Sequence, residues 1–307
     1  MAQQQQQPFL IPPSYILREG LKACNVDEKT QARRLTSTNV RQFKAHFGKN
    51  PLHLARVYRD LQVNGILEAA EAEKKNSFIG FMLANNFLRL YETADVRNAR
   101  FNICHDNICA FTWRFVRMIG ELKEYKIKCP TEWKVRMGAT VDGTQMRTNE
   151  PRDPDMRRNP KNYAYKFNFA GLNYQIVLSL WTNHVWYANL GDTGSTHDMT
   201  AIRKEFLDMV PEGCRVIADS GYSGKSEHEK QVFAVVSEMD TPEVRAFKGA
   251  AKARQEVFNK KMKDFDCLTK RWIHGVDNHK LAFNACLVLT QYAIEDTSPH
   301  GEPLHTL

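Results

Sequence analysis

The chain has 307 residues, 42% hydrophobic and 10% aromatic, which is enough apolar surface for one large or two ordinary folded domains. Its formal charge of +8 is unevenly spread: the first 130 residues hold 20 Lys+Arg against 12 Asp+Glu and the remainder 23 of each, as suits a nucleic-acid-binding segment joined to a charge-balanced domain. Seven cysteines without CxxC or Cys/His finger spacing, no apolar run of about 18 residues and no signal-peptide pattern lead us to expect a reduced protein of the nucleus, or alternatively the cytoplasm, with no membrane partner.

Residues 1–13, a glutamine run followed by a proline pair, are expected to be a disordered tail, and residues 14–130 to be all-α. From about residue 37, Val40, Phe43 and Phe47 follow helical spacing, and Gly48 sits where a helix stops. A second helix opens with Asn50 as N-cap and Pro51 at its first position, and carries the stripe Leu54, Val57, Tyr58, Leu61. The short Gly-containing turn between them suits a helix-turn-helix, whose exposed face would present Lys49, His53, Arg56 and Arg59 to DNA. A plain helical hairpin with a solvated basic face fits the same residues equally well. Two further helices, over 78–91 and 106–122, carry core stripes.

Past Pro130 the texture becomes strand-like. The spacing predicts strands over Trp133–Val141, Tyr163–Phe169, Tyr174–Trp181 and His184–Leu190, largely antiparallel and joined by short turns such as Thr182-Asn183. A helix near Met199–Met209, a buried-type strand at Arg215–Ala218 and a long helix over Pro242–Phe265 follow. The expected fold class is therefore α/β, a mixed sheet flanked by helices over 131–296 and preceded by the all-α region, with 297–307 a tail.

Four acids stand at special places. Asp142 follows a β-rich run and precedes Gly143-Thr144, which reads as a strand end where the backbone turns. Asp219 ends Val216-Ile217-Ala218 and precedes Ser220-Gly221, so it too would be released at a strand end, where ligands of open α/β sheets bind. Glu256 shares a helical stripe with Lys252, Lys260 and Lys263, opposite Phe258, Met262 and Phe265. A solvated Glu256–Lys260 pair explains that stripe as well as a metal site does. Asp198, at the start of a helix, serves either as an N-terminal helix partner or as a further ligand. Phosphodiester chemistry needs hard divalent cations on few, well-placed carboxylates, and these acids fit that requirement.

Five segments carry a resemblance: VDGT (141–144), YKFNFAGLNYQIVLSL (165–180), GSTHD (194–198), ADSGY (218–222) and ARQEVFNKKMKDF (253–265). In this order they resemble the PIF/Harbinger transposases, whose nuclease is a DDE endonuclease domain. The resemblance implies an RNase H-like sheet, with Asp142, Asp219 and Glu256 as the catalytic, metal-holding acids and Mg²⁺ or Mn²⁺ as cofactor. It leaves Asp198 as a ligand or a supporting acid. It also implies double-stranded DNA as substrate, and it is compatible with a separate DNA-binding partner protein and with a homodimer. The expected reaction is hydrolysis of DNA phosphodiester bonds and strand joining. The rival reading is a domesticated, catalytically silent DNA-binding or protein-interaction module. Candidates for DNA-backbone contacts are His53, Arg56, Arg59, Arg147, Arg157, Arg158, Lys252, Lys260 and Lys263, with Arg152 beside them in the same basic run.

Overall fold

The computed structural model describes residues 10–24, 34–150, 157, 159–164 and 168–296. Most of the expected N-terminal tail, Arg152 and Arg158, and residues 165–167 of one expected strand lie outside them. Where the tail was expected to end, Ile11 is already buried and Pro13 opens the first helix. The chain forms two compact units: residues 1–126, 264–270 and 281–293 make up one, and 127–263, 271–280 and 294–307 the other.

The first unit is helical: α1 (Pro13–Ala23), α2 (Ser37–Phe47), α3 (Pro51–Val63), α4 (Ala69–Ala72), α5 (Lys75–Leu90), α6 (Ala94–Phe101), α7 (His105–Glu121) and α8 (Lys123–Lys126). Thr36 caps α2 and Gly48 ends it at φ 78°; Asn50 then accepts from the His53 amide and Pro51 starts α3. Both ends follow from local chemistry, because Gly takes the left-handed conformation without a Cβ penalty and Pro has no amide to lose at a helix start. The face of α3 expected to meet DNA is not open. Lys49 and His53 are buried at 5% and 7% exposure. Lys49 donates to Thr290 and lies over the Phe265 ring, His53 meets Asn50, and the Arg56 guanidinium sits 5.5 Å from the Tyr292 ring centre. Only Arg59, paired with Asp60, remains exposed. Helical periodicity marks the apolar stripe of α3 but not that the neighbouring helices also cover Lys49 and His53, while Leu52, Arg59 and Val63 stay exposed.

The second unit is built on a mixed sheet. Its strands are β1 (Met137–Arg147), β2 (Tyr163–Ala164), β3 (Phe169–Ser179), β4 (Val185–Ala188), β5 (Asp192–Thr193), β6 (Arg215–Ala218) and β7 (Phe233–Val235). The order is β2-β3-β1-β6-β7, with β4 and β5 also on β3. β1 and β3 are antiparallel, while β1, β6 and β7 run parallel. The helices are α9 (Asp198–Arg203), α10 (Glu227–Val232), α11 (Pro242–Met262), α12 (Asp266–Thr269) and α13 (Val276–Glu295); α12 and most of α13 return to the helical unit. The expected α/β class is what the chain adopts.

Two expectations about strands are corrected. Asp142 is not at a strand end: pairing with β3 continues through Gly143↔Gln175 to Arg147↔Gly171. Gly143 was read as a turn glycine, yet it stays in the ladder. Likewise, the strands expected at 163–169 and 174–181 divide elsewhere, at Asn168 (φ 51°), and β3 runs unbroken from Phe169.

Alternation sets the faces of the sheet. Ala139, Val141, Val177, Val216 and Ala218 pack with Met199, Ile202 and Phe206, so α9 covers that side. On the other side Ile217 and Leu180 pack with Ala251, so α11 covers it.

Candidate functional site

The end of β6 creates the site. β6 pairs with β1 only as far as Thr140↔Ile217, while β1 runs on to Arg147. Between that pair and Arg147, whose carbonyl accepts from the Trp272 amide, no strand among the described residues covers this edge of β1, and a cleft of about 460 Å³ lined by Asp142, Asp198, Asp219 and Glu256 opens there on both faces of the sheet. Extending the parallel register two residues beyond Thr140↔Ile217 sets Asp142 beside Asp219, on the face that carries Ile217 and therefore on the α11 side. Asp219 leaves the strand as the N-cap of a 3₁₀ turn, Ser220–Tyr222. Glu256 comes from the exposed stripe of α11, one turn before Asn259, whose side chain donates to Asp142 Oδ2 at 2.8 Å.

Asp198 reaches the same cleft from the opposite face. It is the first residue of α9 and the acid of its first turn, while the cap itself is His197, whose Nδ1 accepts from the Met199 amide. Two buried amides of β3 aim its carboxylate instead: Asn173 and Gln175 donate to Asp198 Oδ1 at 3.0 and 2.8 Å. Gln175 in turn accepts from the Tyr222 hydroxyl. Gly143 makes room, since a Cβ there would lie 2.7 Å from Asp198 Oδ1.

Burial pushes the Asp142 carboxyl up to about 6, and the charges of Asp198, Asp219 and Glu256 push the same way against a bond from the Gly143 amide. The neighbouring Tyr222 hydroxyl is raised well above its usual range, first by burial and then by the three aspartates, and stays protonated. Lysines flank the acids. Lys252 donates to Asp219 Oδ1 at 2.7 Å, and Lys260 and Lys263 line the cleft, both exposed.

This donor set suits a hard divalent cation: carboxylate oxygens from four separate segments, held in mutual repulsion in a partly desolvated cleft. Among the described residues no group of three His, Cys, Asp or Glu side chains is close enough to chelate one ion as the side chains stand. Four like charges facing one another repel, and Lys252 already neutralises one of them.

Of the residues singled out in the sequence, Asp142, Asp198, Asp219, Glu256, Lys260 and Lys263 line this cleft and Lys252 binds one of its acids. Arg147 and Arg157 line a different one. His53, Arg56 and Arg59 belong to the helical unit. Asn173, Gln175, Tyr222 and Asn259 were missed. Two buried amides two residues apart in the otherwise apolar run of β3 were a usable signal, as was the position of Asn259 one turn after Glu256.

Residues 141–291 match the family model of the DDE superfamily endonucleases, which supports a nuclease- or transposase-like function for this part of the chain. Endonucleases of that superfamily generally use divalent metals, and such a domain implies DNA as substrate. No curated protein and no solved structure gives a match. Among the described residues no helix is long and apolar enough to cross a membrane.

Proposed function

We propose that this chain is a metal-dependent DNA endonuclease of the cut-and-paste transposase type, related to the PIF/Harbinger enzymes, that hydrolyses phosphodiester bonds and joins DNA strands in the nucleus. One observation carries the proposal: four carboxylates from β1, α9, the end of β6 and α11 line a single cleft. A cluster of this kind is costly unless a cation belongs in it.

Asp142, Asp219 and Glu256 would hold Mg²⁺ or Mn²⁺. Bound ions of this class activate water or a 3′-hydroxyl as nucleophile and stabilise the leaving oxygen. The protein residues do the rest. The parallel register of β1 and β6, carried on past Thr140↔Ile217, would set Asp142 beside Asp219, and α11 brings Glu256 to the same cleft. Asn259 orients Asp142 through Oδ2. Asp198, fixed by Asn173 and Gln175, supports the cluster from the opposite face. Lys260 and Lys263 neutralise backbone phosphates as the strand enters, while Lys252 exchanges Asp219 for a phosphate as the site loads.

Nicking of supercoiled plasmid in Mn²⁺ tests the reading. Wild-type protein nicks, and Asp142→Asn, Asp219→Asn and Glu256→Gln each fall to background. Equal activity in wild type and Asp142→Asn would remove the chemistry from this cleft, and an inactive wild type that still binds duplex DNA would favour the silent module.

A further inference from the structure

The nuclease reading leaves unused a group of three arginines in the second unit, Arg147, Arg157 and Arg271. At the far end of β1, three chain segments meet. Arg147 closes the strand opposite Gly171; the Thr148 amide bonds Ala170; and the Trp272 amide bonds the Arg147 carbonyl, which brings Arg271 alongside. With Arg157, these arginines line a cleft of about 570 Å³ that also contains Tyr163 and Phe169. All three guanidiniums are exposed, and none forms an ion pair with a carboxylate among the described residues. The one described carboxylate lining the cleft, Glu150, accepts from the Tyr163 hydroxyl. The Arg147 guanidinium lies over the Phe169 ring, 5.8 Å from its centre. Planar forks against a single engaged carboxylate match phosphodiester oxygens, which Arg binds in bidentate fashion.

Position along the strand indicates which phosphodiesters these are. Asp142 and Arg147 are five residues apart on one continuous strand, about 17 Å, and although their side chains leave opposite faces of the sheet, the cleft at Asp142 is lined from both. Along a duplex that distance spans about five base pairs. Resting on the nuclease reading, we propose that the Arg147–Arg157–Arg271 cleft grips the backbone of the substrate duplex about five base pairs from the bond that is cut. It acts as a second anchor that sets the register of the DNA along β1.

Two measurements on the full chain test this, and only one needs catalysis. In EDTA, duplex DNA binding is followed by anisotropy over a range of salt. The Arg147→Ala/Arg271→Ala variant should have a log–log slope shallower by about 1.8, and Arg147→Lys should keep the slope while binding more weakly. In Mn²⁺, randomly ethylated duplex is nicked and the cut molecules are sequenced. Wild type should exclude ethylated phosphates about five nucleotides from its own cuts, and the double variant should not. An unchanged slope, or interference that does not depend on the two arginines, overturns the proposal. So does inorganic phosphate binding that depends on the arginines while DNA binding does not. If wild type fails to nick yet the slope falls, the anchor stands and the nuclease reading fails. The converse result separates them the other way. Both arginines are exposed, and unchanged thermal unfolding of the variants shows that the fold is intact.

Discussion

Asp142 ties stability to the chemistry of the cleft. Its carboxyl is raised from 3.8 to about 6 in the folded chain, chiefly by burial and then by three neighbouring acids. A raised pKa means that the folded form holds its proton longer than the unfolded form does. The resulting stability is complete below about pH 4 and is lost as pH rises through about 6. Asp142→Asn does not titrate, so in EDTA its advantage over wild type should grow between pH 4 and pH 7 to about 1–2 kcal/mol, after discounting for partial exposure. Adding Mn²⁺ at pH 7 should raise the melting temperature of wild type and leave the variant unchanged, since only a ligand that binds the folded form stabilises it. A gap between the two proteins that does not change with pH would mean that neither burial nor the neighbouring acids raise the Asp142 carboxyl in the folded chain. Gly143 gives a second test at this scale. Replacing a strand glycine by alanine ordinarily gains about 0.5–1 kcal/mol. Here the new Cβ meets Asp198 Oδ1 at 2.7 Å and Gln175 Nε2 at 3.0 Å, inside contact distance. Overpacking of this sort costs about 1–3 kcal/mol, so Gly143→Ala should destabilise, and nicking should fall because Asp198 is displaced.

Among the elements, α11 brings most of the site together. Besides Glu256 and Asn259 it carries Arg254, buried at 7% exposure, whose guanidinium donates to the carbonyls of Leu180 and Thr182 and to Asn183 Oδ1. Those acceptors form the hairpin between β3 and β4, so Arg254 fixes the helix to the sheet two residues from Glu256. Arg254→Met leaves buried carbonyls unsatisfied and should cost roughly 2–4 kcal/mol in urea unfolding, with a larger loss of nicking than of duplex affinity. Equal losses of both would place Arg254 in DNA binding instead. The sequence made α11 legible through Phe258 and Met262, both buried, and β6 through its apolar run, although the helix ends at Met262 and not at Phe265 as expected. Asp219 and Glu256 could therefore be placed correctly from local pattern. Asp142 could not, because whether Gly143 turns or pairs depends on β3, about 30 residues away, and no local spacing reports it. The partnership of Gln175 with Asp198 and the covering of His53 depend on tertiary contacts in the same way. β7, three residues long, is too short to leave a period in the sequence.

On the scale of the whole molecule, the two units are not consecutive stretches of chain. After α11 completes the cleft, the polypeptide returns to the helical unit through 264–270, contributes 271–280 to the sheet unit, and returns again with 281–293. Those returning segments are structural parts of the helical unit. Phe265 stands within 2.8 Å of where a Cβ on Gly48 would be, Lys49 bonds Thr290, and the Tyr292 hydroxyl donates to Asp60. Ala282, Phe283, Ala285, Cys286, Leu287, Val288 and Leu289 are all fully buried. At about 1.5–3 kcal/mol for each large apolar side chain, their loss exceeds much of the roughly 5–15 kcal/mol that holds a domain folded. A chain ending at Lys280 keeps Asp142, Asp198, Asp219 and Glu256 but should lose cooperative unfolding of the helical unit, seen as rapid proteolysis between residues 34 and 126. Supplying 276–296 as a separate peptide should restore protection, because the missing surface is a single helix, whose residues 285–292 are all buried in the full chain. If the truncated chain resists protease like the full one, the helical unit draws its stability from α1–α8 alone, and the returning helix only connects.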